Sequence, residues 1–288
     1  IHLGYVYGAD ASFRTAKTMI DDGLLFRPLL ERWMKPQQFE ACLTDRFHYI
    51  VPPNSMLSLD EVTAHFARIE SYLAEQEINL NLTYLGLPPQ FDRGDKPMPK
   101  MRRHLLATRE AAVWPTGIAN AIASSVQAHP RIQLALGTSV DRVEPTGKAW
   151  RVFSKDQSQT PEGPFDIVVN AAWADRRNID HKSGFATTDR FFTRFKFGVM
   201  LENATRAFDG ALPINGTATL GAFGDSVYYP QNDSLYCSWY PVGMCYTSSE
   251  EELNFSLPAH DISHGLMRET WAGYATIDPA YEALLTPK

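Results

Sequence analysis

The 288-residue sequence predicts a mixed α/β (α+β) fold, and three observations carry that prediction. Apolar residues recur at helical spacing in several segments, first at Ile20, Leu24, Leu25, Leu29 and Leu30 within Ser12 to Met34. Short β-rich runs broken by Gly and Pro fill residues 131 to 173. Beyond residue 184 aromatic-rich β segments dominate, which read as an antiparallel sheet packed on one side.

Each element can be justified in order. The opening IHLGYVYGAD alternates large apolar residues with two glycines and reads as a strand or extended loop. A helix follows to Met34, and Pro36 marks a stop beyond it. RFHYIVPP is a β run of Phe47, Tyr49, Ile50 and Val51 ended by two prolines. Ser58 to Glu61 spell a capping box, which launches a helix to about Glu75 with the stripe Val62, Phe66, Ile69 and Leu73. Residues 86 to 104 are the expected mobile loop. HLLATREAAV is a strand in which Arg109 and Glu110 read as a structural ion pair. Pro115 opens a helix to about His129, with small residues suited to close packing on a sheet.

RIQLALGTSVDRVEPTGKAWRVFSK predicts three short β runs, and FDIVVNAAW a strand buried on both faces of a parallel sheet. Helix, β-meander, then a buried strand ending in Asn-Ala-Ala is the layout of the second half of a dinucleotide-binding domain, whose ligands lie beyond the strands' carboxyl ends. Further on, RFFTRFKFGVML, TATLGAFGDSVYYP and SLYCSWYPVG are the aromatic β segments, and a final helical region begins near Leu257.

Composition narrows the function. The 33 acidic and 27 basic residues give a charge of −6 without a long single-sign run, which argues against nucleic acid or an anionic membrane as main partner. No apolar run reaches the length of a membrane span. Three cysteines without CxxC spacing, and an amino terminus unlike a signal peptide, lead to the expectation of a cytoplasmic protein. Neither a GxSxG elbow nor a P-loop occurs, which sets aside hydrolase and kinase readings.

Several of these segments, in order, resemble the FAD-dependent D-amino-acid-oxidase superfamily: IHLGYVYGAD with its following helix, TREAAVWPTGIANAI, GTSVDRVE, FDIVVNAAW, RFKFG and LGAFGDSVYY…LYCSWYPVG. The resemblance covers most of residues 1 to 247. It implies a partial FAD-binding Rossmann-like domain with a β-meander (residues 1–40 and 102–182), intertwined with an antiparallel-sheet substrate domain (41–101 and 183–247), and a C-terminal helical segment (248–288). It implies FAD as cofactor, with Thr138 and Val140 against the adenine end and Asn170, Ala171, Ala172 and Trp173 near the pyrophosphate or ribityl chain. Many relatives carry glycine where this chain has Trp173, so that contact is altered. His2 would point to the flavin ring, Arg194 would meet a substrate carboxylate, and Tyr240, with Tyr228, Tyr229 and Trp239, would line the substrate cavity. Solvated strand charges and β-core filling are the plainer alternatives for Arg194 and the aromatics.

The family's GxGxxG phosphate loop is expected before residue 1, and its flavin-closing segment after Lys288. The expected function is an FAD-dependent oxidoreductase, or a fragment of one, that oxidises a small amine or 2-hydroxy compound by hydride transfer to flavin. Its partner would be a small-molecule substrate, with the electron acceptor undefined. The alternative is a non-catalytic remnant that serves as a binding or interaction module.

Overall fold

The computed structural model describes residues 1–89, 96–98, 103–156, 160–185, 192–249 and 262–285. The described residues divide into two compact units. One draws on Ile1–Pro130, Lys196–Met244 and Ala259–Lys288, the other on Arg131–Phe195 and Cys245–Pro258.

The first unit opens with a single 3-10 turn, Tyr5–Tyr7, where a strand or extended loop was expected. Gly4 takes φ 96°, and a Cβ there would lie 2.6 Å from the Cα of Ala16. Only glycine combines that backbone with so close an approach, and it lets the opening segment lie on α1 (Arg14–Leu30). That helix buries Ala16, Ile20 and Leu24 but leaves Leu25 and Leu29 exposed, so its buried face is narrower than the apolar pattern suggested. Pro36 opens a second helix, α2 (Pro36–Glu40), instead of simply ending the first. Its fixed φ and missing N–H suit a first helical turn. After β1 (Leu43–Val51) comes α3 (Leu59–Leu80), started by the expected capping box: Glu61 N donates to Ser58 Oγ at 3.2 Å and Ser58 N to Glu61 Oε2 at 2.8 Å. Its whole stripe, Val62, Phe66, Ile69 and Leu73, is buried.

Within the segment expected as a loop, β2 (Lys96–Met98) pairs with β3 (Arg103–Val113); residues 90–95 and 99–102 lie outside the described residues. Antiparallel pairing of β3 with β1 places both strands in one unit with α1, whereas the sequence had divided these segments between two domains. The helix α4 (Pro115–Ala128) follows as expected.

The remaining described strands lie at β4 (Val140–Thr146), β5 (Ala149–Ser154), β6 (Glu162–Phe165), β7 (Thr193–Lys196), β8 (Val199–Glu202), β9 (Gly216–Ala218), β10 (Asp225–Tyr229), β11 (Ser234–Cys237) and β12 (Met244–Ser248). The main sheet runs β2-β3-β1-β9-β10-β11-β8. It is mixed, because β9 lies parallel to β1, with Tyr49 opposite Thr217. A Cβ at Gly216 would stand 2.5 Å from the carbonyl oxygen of His48, so glycine is what permits that approach. The short helices α5 (Arg176–Lys182), α6 (Ala204–Ala207) and α7 (Tyr240–Gly243) precede α8 (Ile262–Ala275). On the β11 side, Phe208, Leu235, Cys237, Trp271, Tyr274 and Tyr281 form a second apolar cluster. Residues 250–261, the start of the expected final helical region, fall outside the described residues.

In the second unit β4 and β5 are two of the three expected runs, and β6, which was not expected, completes an antiparallel meander with them; Ile179 of α5 is buried. Two expectations fail here. Residues 131–139 hold no strand, and β6 stops at Phe165. Beyond Phe165, which pairs with Trp150, the apolar run that was to be a buried parallel strand has no ladder partner among the described residues, and Ile167 and Val169 are 79% and 81% exposed. A separate two-stranded sheet joins β7 and β12. No described helix is long and apolar enough to cross a membrane.

Candidate functional site

Two cavities hold the residues of interest, one in each unit. In the second unit a cavity of about 310 Å³ opens between the meander, the loop after it and α5. Val140 and Val143 of β4 and Trp150 and Val152 of β5 give it apolar walls; Asn170, Ala171 and Ala172 supply the loop side, and Ile179 and Asp180 the helix side. Four of the six expected cofactor-binding residues, Val140, Asn170, Ala171 and Ala172, therefore meet at one place. Strict alternation would send Val140 and Val143 to opposite faces, and the register shift between Val140 and Arg142 lets both line the cavity.

Asn170 ties its loop to α5. Its Nδ2 donates to Arg176 O at 2.9 Å and to Asp180 Oδ1 at 2.7 Å, and its Oδ1 accepts from Ala172 N at 3.2 Å. Thr138 and Trp173 are not among the lining residues. Trp173 is 94% exposed and takes φ 50°, a left-handed backbone that favours glycine.

In the first unit a cavity of about 160 Å³ lies beside His2. Its walls include His2, Glu110, Asp225 and the rings of Phe47, Tyr229 and Tyr236. Glu110 is the buried centre. His2 Nδ1 lies 3.5 Å from Glu110 Oε2, with the His2 side chain 49% and the Glu110 side chain 2% exposed. Tyr49 OH donates to Oε2 at 2.6 Å, and the backbone N–H of Leu3 donates to Oε1.

Burial alone would raise the Glu110 carboxyl, but the hydrogen bond and charge of His2, with the Tyr49 hydroxyl, hold it below the usual carboxylate range. The same hydrogen bond raises His2 above the usual imidazole value. Tyr49 is pushed well up by burial and then by the Glu110 charge, and stays a hydroxyl. The site is a Glu-His pair with a buried tyrosine donor, and the His2 nitrogen other than Nδ1 is not engaged by Glu110.

The expected Arg109–Glu110 ion pair does not form. Adjacent residues on a strand point to opposite faces, and the structure follows that rule. Arg109 makes a two-pronged pair with Glu77 of α3, at 2.8 and 2.6 Å, while Glu110 faces His2. The available signal was strand alternation itself, which sends the adjacent Arg109 and Glu110 to opposite faces.

The other expected catalytic residues lie elsewhere. Arg194, in the second unit, is exposed, with its guanidinium 5.3 Å from the Phe192 ring centroid. Tyr240 heads α7 and carries Lys196 Nζ 3.7 Å above its ring; it is not among the residues lining the His2 cavity. Lys196 also stands 3.6 Å from Asp225. Of the accompanying aromatics, Tyr229 lines the cavity, Tyr228 donates to Asp233, and Trp239 packs against Tyr274.

The mixed α/β fold is shared with solved structures of amino-acid oxidases and dehydrogenases. The chain resembles glycine oxidase from Geobacillus kaustophilus, with a TM-score of 0.59 at 13% identity over 97% of this chain and 67% of that one. L-proline dehydrogenase from P. horikoshii matches with a TM-score of 0.58 at 13% identity, over 98% and 66%. The open form of NikD, an unusual amino acid oxidase essential for nikkomycin biosynthesis, matches with 0.57 at 11%, over 93% and 64%. The chain thus spans about two thirds of the length of these structures. No protein-family model and no curated protein matches it.

Proposed function

We propose that the chain is all or part of an FAD-dependent oxidoreductase that oxidises a small amine or 2-hydroxy compound. The observation that carries this reading is the convergence of Val140, Asn170, Ala171 and Ala172 on one apolar cavity, in a chain whose fold is that of amino-acid-oxidising enzymes. At about 310 Å³ the cavity is within the usual range of small-molecule sites. Its valine and tryptophan walls suit a flat heteroaromatic ring, and the Asp180 carboxylate suits an exocyclic amine or a ribose hydroxyl. The small side chains of Ala171 and Ala172 leave their backbone open to approach. No lysine or arginine is among the lining residues, so the fit is to the adenosine end of FAD and not to its phosphates.

FAD would supply the hydride acceptor. The protein's part is to bind and orient the substrate and to manage one proton. Glu110 fixes the His2 imidazole through Nδ1, which leaves the other ring nitrogen to hold or take up a proton from a substrate amine or hydroxyl. The rings of Phe47, Tyr229 and Tyr236 would limit water beside it. Arg194 and Tyr240 stay in the proposal as substrate contacts, and Thr138 and Trp173 as cofactor contacts.

The test is anaerobic. Protein loaded with FAD is mixed with panels of small amines and 2-hydroxy acids while the flavin bands are followed. Bleaching by one panel is the expected result, slowed at least about tenfold in His2→Ala. Loaded protein that no member of either panel bleaches would contradict the reading. The alternative, a binding or interaction module, is favoured by the exposure of Ile167, Val169 and Trp173, and it predicts a chain that never retains FAD.

A further inference from the structure

The geometry points to the His2 cavity as a site for a small organic ammonium compound that carries no carboxylate. Two carboxylates, Glu110 and Asp225, face this cavity, and its described lining includes no lysine or arginine. Lys196 reaches Asp225 from outside that lining, and it is also held over the Tyr240 ring. A carboxylate-bearing substrate entering here would meet Glu110 and Asp225, and His2, the cationic side chain of the lining, is already paired with Glu110. The rings of Phe47, Tyr229 and Tyr236 line the same space, and aromatic faces attract an organic cation.

Arg194, the residue expected to anchor a substrate carboxylate, packs on Phe192 and is not among the described residues that line this cavity. Size agrees with this assignment. A cavity of about 150 Å³ holds a benzene-sized molecule, and this one has about 160 Å³, enough for a five- or six-membered cyclic amine. That such a ligand is the substrate rests on the oxidoreductase reading; that it binds does not.

The test uses the full chain with no flavin added. Pyrrolidine, a cation at neutral pH, and lactate, a 2-hydroxy carboxylate of similar size, are titrated in parallel by ligand-observed NMR. The expected result is saturable pyrrolidine binding at least about tenfold tighter than that of lactate, weakened by added salt and weakened severalfold in Asp225→Asn. Asp225 is chosen because it is partly exposed, whereas buried Glu110 also supports the fold; circular dichroism checks that the variant is folded.

The site assignment is overturned by lactate binding as tightly as pyrrolidine, by no saturable pyrrolidine binding, or by unchanged pyrrolidine affinity in folded Asp225→Asn. A chain that binds pyrrolidine but never FAD sinks the oxidoreductase reading and keeps the site. A chain that binds FAD but prefers lactate does the reverse.

Discussion

Trp173 and Glu110 show what single residues contribute and where each is exposed to test. At φ 50° and almost fully in solvent, Trp173 bears left-handed strain without packing to offset it. Trp173→Gly is expected to raise stability by about 1 kcal/mol, read as a higher urea midpoint. Glu110 is the opposite case. Truncating it to Ala leaves Tyr49 OH and the Leu3 N–H without their acceptor in a buried place, with an expected loss of about 3 kcal/mol.

Its pairing with His2 also sets a pH dependence. The folded Glu110 carboxyl lies below its ordinary 4.5, so its contribution is present above that value and fades as pH falls through the folded one. Folded His2 lies above its ordinary 6.5, so its contribution is complete below 6.5 and fades as pH rises through the folded value. The pair stabilises most between 4.5 and 6.5. Asp225 and Tyr49 face the same pair, the first adding negative charge and the second remaining neutral. Urea midpoints measured across this window should show the maximum, and Glu110→Gln should flatten both limbs.

At the scale of elements, α3 is the most local of the helices. Ser58→Ala removes the acceptor for Glu61 N and should cost about 1 kcal/mol in a urea melt. Leu73→Ala, at the fully buried end of the stripe, should cost about 3 kcal/mol. This helix was legible because its signals lie within one turn or repeat every three or four residues. The β4–β5 hairpin and the β3 strand were legible because β-branched and apolar runs bounded by turn residues are also local signals.

What was not legible depended on distant partners. TATLGAFGDSVYYP read as one β segment, and its division into β9, which runs parallel to β1, and β10, which returns antiparallel on β9, depends on β1 and not on the local pattern. Ile167 to Val169 have every local mark of a buried strand, but an apolar run states a demand for cover and does not supply it. At the sites, Val140, Asn170, Ala171 and Ala172 were named through resemblance. Asp180, Trp150 and Val152 join their cavity through folding alone. Glu110 could have been found from strand alternation, which forbids the Arg109–Glu110 pairing.

For the molecule as a whole, the two units hold different halves of the proposed chemistry. The second offers an apolar adenosine-sized cavity, and the first a proton-handling Glu-His pair beside an acidic, aromatic cavity. The central claim is that the second unit recognises the adenosine end of FAD. It is tested most directly by calorimetric titration of the chain with FAD and, separately, with FMN, which lacks that end. The account predicts that FAD binds at least about tenfold tighter than FMN, and that Val140→Glu, which puts a charge into the cavity wall, removes the difference. FMN binding as tightly as FAD, or neither binding at all, would contradict it.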